Sequence, residues 1–180
     1  AGVFEEAAYD RAIDTFGEFI RGLGVEVVYG NTLQTFYAID AAHRLGLPAL
    51  WNPRESEPWQ TYFNFLPAAL AARALRCFSY PYRVIFVADA TRTVWAPLDS
   101  QRNFTVIHNG LDLARLRGEA ERYPRAAARR DLGIGDEEVA LLLPGTVCER
   151  KGQQDLVDAI ALLASPTAGR LRCFIVGDRA

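Results

Sequence analysis

The 180-residue chain has no methionine, only two histidines and only three cysteines. Residue 1 is therefore not expected to be a translation start. Cys77, Cys148 and Cys173 stand at wide, unpatterned spacing with no CxxC pair, which argues against both a disulfide framework and a cysteine-ligated zinc site. A reducing, cytoplasmic compartment is the natural expectation. No apolar run approaches the ~18 residues that a membrane span needs, and the polar opening at Glu5-Glu6 is unlike a signal peptide. An excess of one charge is also lacking. Twenty Lys and Arg face 22 Asp and Glu, for a net charge of −2 and a pI near 5.7. A nucleic-acid-binding protein would carry a basic face, so that class is set aside.

What is present is an α/β pattern. Half the residues are hydrophobic, enough for a sizeable core. Short apolar runs at Val25–Tyr29, Ala49–Trp51, Val84–Val87, Phe104–Ile107, Val139–Leu143 and Leu171–Val176 read as strands. Between them lie helical spacings. Phe16, Phe19, Ile20 and Leu23 form one face, closed by Gly24, and Leu33, Tyr37, Ala41 and Leu45 form another, ended by Gly46 and Pro48. Phe63, Leu66, Leu70, Ala74 and Cys77 form a third, which Pro67 should kink or restart. Ala90–Trp95 reads as a short helix stopped by Pro97, and Gln153–Leu163 as a longer one. Pro124 suits the first turn of a helix through Leu132, with Gly133 at its C-cap. Near-continuous hydrophobic strands alternating with helices predict a parallel sheet covered on both faces. About four strands precede Asn109 and two follow, so the second lobe should be incomplete. The last apolar run ends at Gly177-Asp178, where an α/β unit would continue into a helix. Both ends are accordingly expected to be cut.

The segment richest in chemistry runs from Leu141 to Leu156. A buried strand ends at Pro144-Gly145, a loop follows, and a helix starts near Gly152. Ligands of open α/β sheets bind outside the carboxyl ends of the strands, where this loop must lie. Arg150 and Lys151 sit at the positive end of a helix dipole, where a cation costs roughly 0.3–1 kcal/mol. An anion between them and the free backbone N–H groups would reverse that penalty, and Gly145 and Gly152 would let the backbone come close. The spacing equally allows a solvated loop in which Glu149 and Asp155 neutralise the two cations. It is not the common NTPase loop, because Lys151 precedes its glycine and no Ser or Thr follows. Nor is it a dinucleotide fingerprint, since Gly22-Leu-Gly24 lies before a strand.

Pro144-Gly145-Thr146-Val147 followed by Arg150-Lys151-Gly152-Gln153 resembles the donor-phosphate loop of the GT-B glycosyltransferases, specifically the large retaining family 4. Three more stretches match in order: Phe104–Asp112 with His108-Asn109-Gly110, the helix from Arg125 to Ile134, and Phe174–Asp178. The resemblance implies two Rossmann-like lobes. Residues 1–108 would be the C-terminal part of the acceptor-side lobe, 109–112 the junction, and 113–180 the N-terminal part of the nucleotide-sugar-binding lobe. It implies a hexosyltransferase-type enzyme that moves a sugar from a nucleotide-diphosphate donor to an acceptor (saccharide, lipid or small molecule), with retention. Gly145, Arg150 and Lys151 would hold the donor phosphates, and no metal or other cofactor is expected because the cations take its place. The family's Gly-rich first loop and its late pair of glutamates are not found here, so the catalytic residues stay unassigned and this chain alone is expected to be inactive. Where many members carry a histidine after the second strand, Arg54 stands.

Arg54 and Glu55 follow a strand's carboxyl end and are candidates for the acceptor cleft, against a plain surface loop with a local ion pair worth about 0–1 kcal/mol. Trp51 and Trp59 flank that loop and suit either a sugar platform or the core. His108 and Asn109 are further cleft candidates, although Asn109-Gly110 is also a turn signal and Asp112 a good N-cap. His43 reads as an exposed helix residue. Arg122, Arg125, Arg129 and Arg130 read as the solvated side of one helix. The competing function is a non-catalytic α/β module for a phosphorylated ligand or a protein partner. A different phosphoryl-handling enzyme is disfavoured by the Lys151-Gly152 order.

Overall fold

The computed structural model describes residues 6–163 and 168–178. The chain divides into two compact units, Ala1–Gly110 and Leu111–Ala180. In the first, β1 (Val28–Asn31), β2 (Ala49–Asn52), β3 (Arg83–Phe86) and β4 (Phe104–Val106) form one parallel sheet in the order β1-β2-β3-β4. Helix α1 (Glu6–Gly22) precedes it. Helices α2 (Phe36–Leu45), α3 (Trp59–Tyr62), α4 (Ala68–Arg76) and α5 (Asp89–Trp95) lie between the strands. Pro67 does restart a helix: it stands at the N-cap of α4. Gly46 ends α2 at φ +67 and returns its N–H to the Ala42 and His43 carbonyls. β1 starts three residues later than the apolar run suggests, because the ladder begins where Val28 N–H meets the Pro48 carbonyl at 3.0 Å.

Among the described residues the sheet is covered on one face, where cover on both was predicted. Strands laid down in sequence order by right-handed crossovers keep their connecting helices on the same side. Accordingly Ala49, Trp51, Val84 and Phe86 share one core with Leu33, Phe36, Ile39 and Ala42, with Ala74 and Phe78, and with Trp95. The alternate residues, Tyr29, Leu50 and Ile85, lie outside that core, and Tyr29 stays 55 % exposed. α2 lies so close on β1 that a Cβ on Gly30 would come within 3.0 Å of Trp51 and 3.1 Å of Ile39.

Helix α1 packs on the far side of α2. Ile13, Gly17 and Ile20 are its buried stripe, against Ala41 and Leu45. Phe19 and Leu23, expected in that stripe, are exposed, one step round the helix from it. Tyr37 on α2 is likewise largely exposed, at the edge of Phe16. Above the contact sits an ionic lattice. Arg44 reaches Asp10 at 2.5 Å, Asp14 at 3.0 Å and Asp40 at 3.5 Å, while Arg73 from α4 reaches Asp10 at 2.5 Å and Glu6 at 3.4 Å. His43 stacks on Tyr80 with centroids 3.8 Å apart.

In the second unit, Asp112 caps α6 (Leu113–Arg122) by accepting the Arg115 N–H at 2.9 Å. Pro124 is the N-cap of α7 (Arg125–Asp131), which splits the expected basic face: Arg122 belongs to α6 and the other three arginines to α7. One of those three is not merely solvated, since Arg129 donates to the Gly135 and Glu138 carbonyls. Glu138 in turn accepts from the Gly135 N–H at 2.6 Å and from Arg172 at 2.8 Å, and these hold its carboxyl below the usual range, the backbone bond foremost. β5 (Val139–Pro144) and β6 (Leu171–Val176) pair in parallel from Val139–Leu171 to Pro144–Val176, and α8 (Gln153–Ala161) connects them. The end of the predicted helix, beyond Ala161, is irregular. No helix among the described residues is long and apolar enough to cross a membrane.

The two guanidiniums hydrogen-bonded to Asp10 hold its carboxyl below its ordinary value. A depressed carboxyl stabilises the fold above its unfolded pKa of about 4 and loses that contribution as the pH falls through its folded value. Asp10→Asn should therefore lower the melting temperature at neutral pH and flatten its fall below about pH 4. A melting curve of unchanged shape from neutral pH into acid would contradict this role.

Candidate functional site

Two sets of residues lie at strand exits, one in each unit. In the second unit, β5 runs out at Pro144 into Gly145, whose φ of +141 and N–H bond to the Val176 carbonyl (2.8 Å) turn the chain alongside the exit of β6. Val147 N–H then meets the Asp178 carbonyl at 2.8 Å. This approach is tight: a Cβ on Gly177 would lie 2.0 Å from the Gly145 carbonyl oxygen. A single 3-10 turn, Glu149–Lys151, follows, and Gly152 at φ +71 leads into α8. Only a residue without a Cβ takes that conformation at no cost.

Gln153, the first residue of α8 and only 6 % exposed, ties the loop down by donating Nε2 to the Thr146 carbonyl at 3.1 Å. Its Oε1 is buried and has no donor. Arg150 and Lys151 are exposed and form no ion pair with any described residue, Glu149 and Asp155 included. The Lys151 stem runs past Gly145, with its Cδ 3.9 Å from where a Cβ there would be. No side chain caps α8. The first N–H groups of a helix lack intrahelical partners and carry a partial positive charge. Gly145, Lys151 and the neighbouring Arg150 thus stand at a helix start without a side-chain cap, where Asp155 in the first turn of α8 is the nearby acidic group, its Oδ2 3.3 Å from where a Cβ on Gly152 would be.

In the first unit the exits of β1 to β4 share one edge. Glu55 is committed within it: its Oε2 accepts the Leu33 N–H and the Arg54 N–H, both at 2.9 Å, which ties the exit of β2 to that of β1. Burial, and then the Glu55 charge, push the neighbouring Tyr62 phenol up to about 12. Arg54 is exposed, as in the surface-loop alternative, but does not form that alternative's ion pair with Glu55. His108 is 71 % exposed, with Nδ1 at 3.2 Å from the Val87 carbonyl and Nε2 at 3.8 Å from Asp89. Asn109 is exposed beside it. β3 lies between the Arg54–Glu55 exit and the His108–Asn109 exit, so these candidates share an edge without a common contact. Trp51 is fully buried in the core, donating Nε1 to the Thr32 carbonyl, and is no sugar platform.

Three solved structures align with nearly the whole chain, each at 12 % identity: the UDP-forming alpha,alpha-trehalose-phosphate synthases from Burkholderia vietnamiensis (TM-score 0.74, 99 % of this chain) and Burkholderia xenovorans (0.71, 98 %), and the alpha,alpha-trehalose 6-phosphate synthase from Burkholderia multivorans (0.72, 98 %). The fold is GT-B. The chain spans less than half the length of those structures, 44 %, 45 % and 44 % respectively. No family model matches the chain, and no curated protein matches its sequence.

Within this GT-B chain, several residues at the strand exits carry no motif. Thr32, Asn52 and Asp89 are polar residues of common type, and only the sheet brings them to one edge. Gln153 and Gly177 lie inside recognisable motifs, but their tasks of tying and clearing the loop depend on contacts across strands. Gly177→Ala should destabilise the second unit by roughly 1–3 kcal/mol or more, because the new methyl meets backbone and not a yielding side chain. A melting temperature within one or two degrees of the parent would show that Gly145 and Gly177 are not in contact.

Proposed function

We propose that the protein is a glycosyltransferase that moves a sugar from a nucleotide-diphosphate donor, with the donor's diphosphate held by the loop from Gly145 to Gly152. The observation that carries this reading is the pair of unpaired cations, Arg150 and Lys151, at the uncapped start of α8. Left empty, that arrangement is unfavourable; a bound diphosphate would satisfy the cations and the helix N–H groups together. The fold supports it, being shared with two enzymes whose names describe them as UDP-forming. In the reaction, the bond between the anomeric carbon and the diphosphate oxygen breaks, and negative charge grows on the leaving group. A fixed guanidinium and an ammonium stabilise that charge as it develops. The strand exits of the first unit, with Arg54, His108 and Asn109, face the acceptor in this scheme. Retention at the anomeric carbon and membership of family 4 rest on the motif resemblance.

The test is calorimetric titration of UDP, GDP and their sugar conjugates into the longest protein that carries this sequence, and into its Arg150→Ala/Lys151→Ala variant. Losing two charge-assisted contacts of about 1.5–3 kcal/mol each should weaken nucleotide binding by at least about 100-fold. Equal binding by the variant, or no nucleotide binding by the parent, would sink the assignment and leave the non-catalytic module as the better reading.

A further inference from the structure

The loop that carries Arg150 and Lys151 is held at both ends by main chain and closed between them by one side chain. Its start is fixed to the exit of β6, where the Gly145 N–H meets the Val176 carbonyl and the Val147 N–H the Asp178 carbonyl, both at 2.8 Å. Its end is a tight turn. There the Lys151 N–H meets the Cys148 carbonyl at 3.0 Å and the Gly152 N–H the Glu149 carbonyl at 3.2 Å. Neither pair of bonds joins the first half of the loop to the second. Gln153 does, giving Nε2 to the Thr146 carbonyl, seven residues back, at 3.1 Å. Among the described residues no other side chain hydrogen-bonds to residues 145–152.

Packing alone does not explain an amide at this position. Gln153 is buried, and the bond to Thr146 fixes its amide so that Oε1, buried as well, meets no donor. A buried acceptor without a partner destabilises the folded chain. A leucine would fill similar space and leave no polar group unpaired. What the amide does that a hydrocarbon cannot is grip the Thr146 carbonyl, and so fix the distance from the exit of β5 to the turn that bears both cations. Arg150 and Lys151 have long stems and no ion pair with a described residue, so the backbone of that turn decides where their charges can reach. A loop already ordered loses less freedom on taking up an anion, and the gain appears as affinity.

We infer that Gln153 is a positioning residue for the diphosphate: it acts through Thr146, keeping the cation-bearing turn closed onto the exit of β5. This rests on the diphosphate reading of the loop and adds to it a buried, uncharged side chain. Two substitutions separate the bond from the packing. Gln153→Leu removes the donor at every pH. Gln153→Glu removes it only while the carboxyl is ionised, because a protonated carboxyl can again donate to the Thr146 carbonyl, and burial favours that neutral form. UDP and GDP are titrated by calorimetry, at pH 8 and pH 5, into the longest protein that carries this sequence and into each variant, at a temperature where melting curves show all of them folded. The ratio of variant to parent Kd cancels the protonation of the nucleotide and of Glu149, Asp155 and every other group they share. Gln153→Leu should bind about tenfold more weakly at both pH values. Gln153→Glu should be about tenfold or more weaker at pH 8 and return to within about threefold of the parent at pH 5. A side chain that only packs would shift the melting temperature and leave the affinity of the folded protein unchanged. Gln153→Leu binding like the parent, a Gln153→Glu deficit equal at the two pH values, or loss of the fold in both variants would each overturn the proposal. Should the parent bind neither nucleotide, or Arg150→Ala/Lys151→Ala bind as the parent does, the diphosphate reading itself has failed. The positioning role alone has failed where that double variant loses binding and Gln153→Leu does not.

Discussion

Parallel pairing is the constraint on which the rest depends. Every strand pair in both units is parallel. Parallel strands leave the sheet in the same direction, so their exits collect on one edge while the crossover helices are kept to the faces. In the first unit this brings Thr32, Asn52, Asp89 and His108 to one edge although they are scattered through the sequence. In the second it sets the loop after β5 against the exit of β6, where Gly145 and Gly177 touch. The chemistry in both units is loop chemistry held by a ladder.

The two edges solve opposite electrostatic problems. In the first unit the charges that hold the fold are shared: Asp10 serves two arginines, Glu55 serves two backbone N–H groups, and Asp89 faces His108. In the second unit Arg150 and Lys151 stand at the positive end of α8 and form no ion pair with a described residue, with Asp155 in the first turn of that helix beside them. On the proposed reading, these fixed cations would take the charge of a leaving diphosphate.

Much of this was legible in the residues. β5 is a continuous apolar run and β6 one broken only by Arg172, and Gly46, Gly133 and Gly152 stand at positive φ where a helix ends or begins. Pro67 restarted a helix as a ring without an N–H must. The motif at Gly145–Gln153 announced a loop and a helix start. The uncovered face of the first sheet was not legible, because strand order and not strand composition decides which side the helices take. The start of β1 was misplaced for a related reason: Val25 to Tyr29 are all suitable for a strand, and only the Pro48 carbonyl selects Val28. Thr32 could not be read at all, since a positive φ at a threonine is imposed by Trp51, Thr35, Asn52 and Glu55, none of which marks it locally.

The central claim, that the loop of the second unit is an anion site for a nucleoside diphosphate, is most directly tested by mapping amide shifts in a 1H–15N NMR titration with UDP and, separately, with uridine. UDP should move the amides of Thr146 through Asp155, with Gly145 and Gly177 following, and uridine should leave this set in place. Shifts of equal size with uridine, or shifts that avoid Arg150, Lys151 and the start of α8, would contradict it.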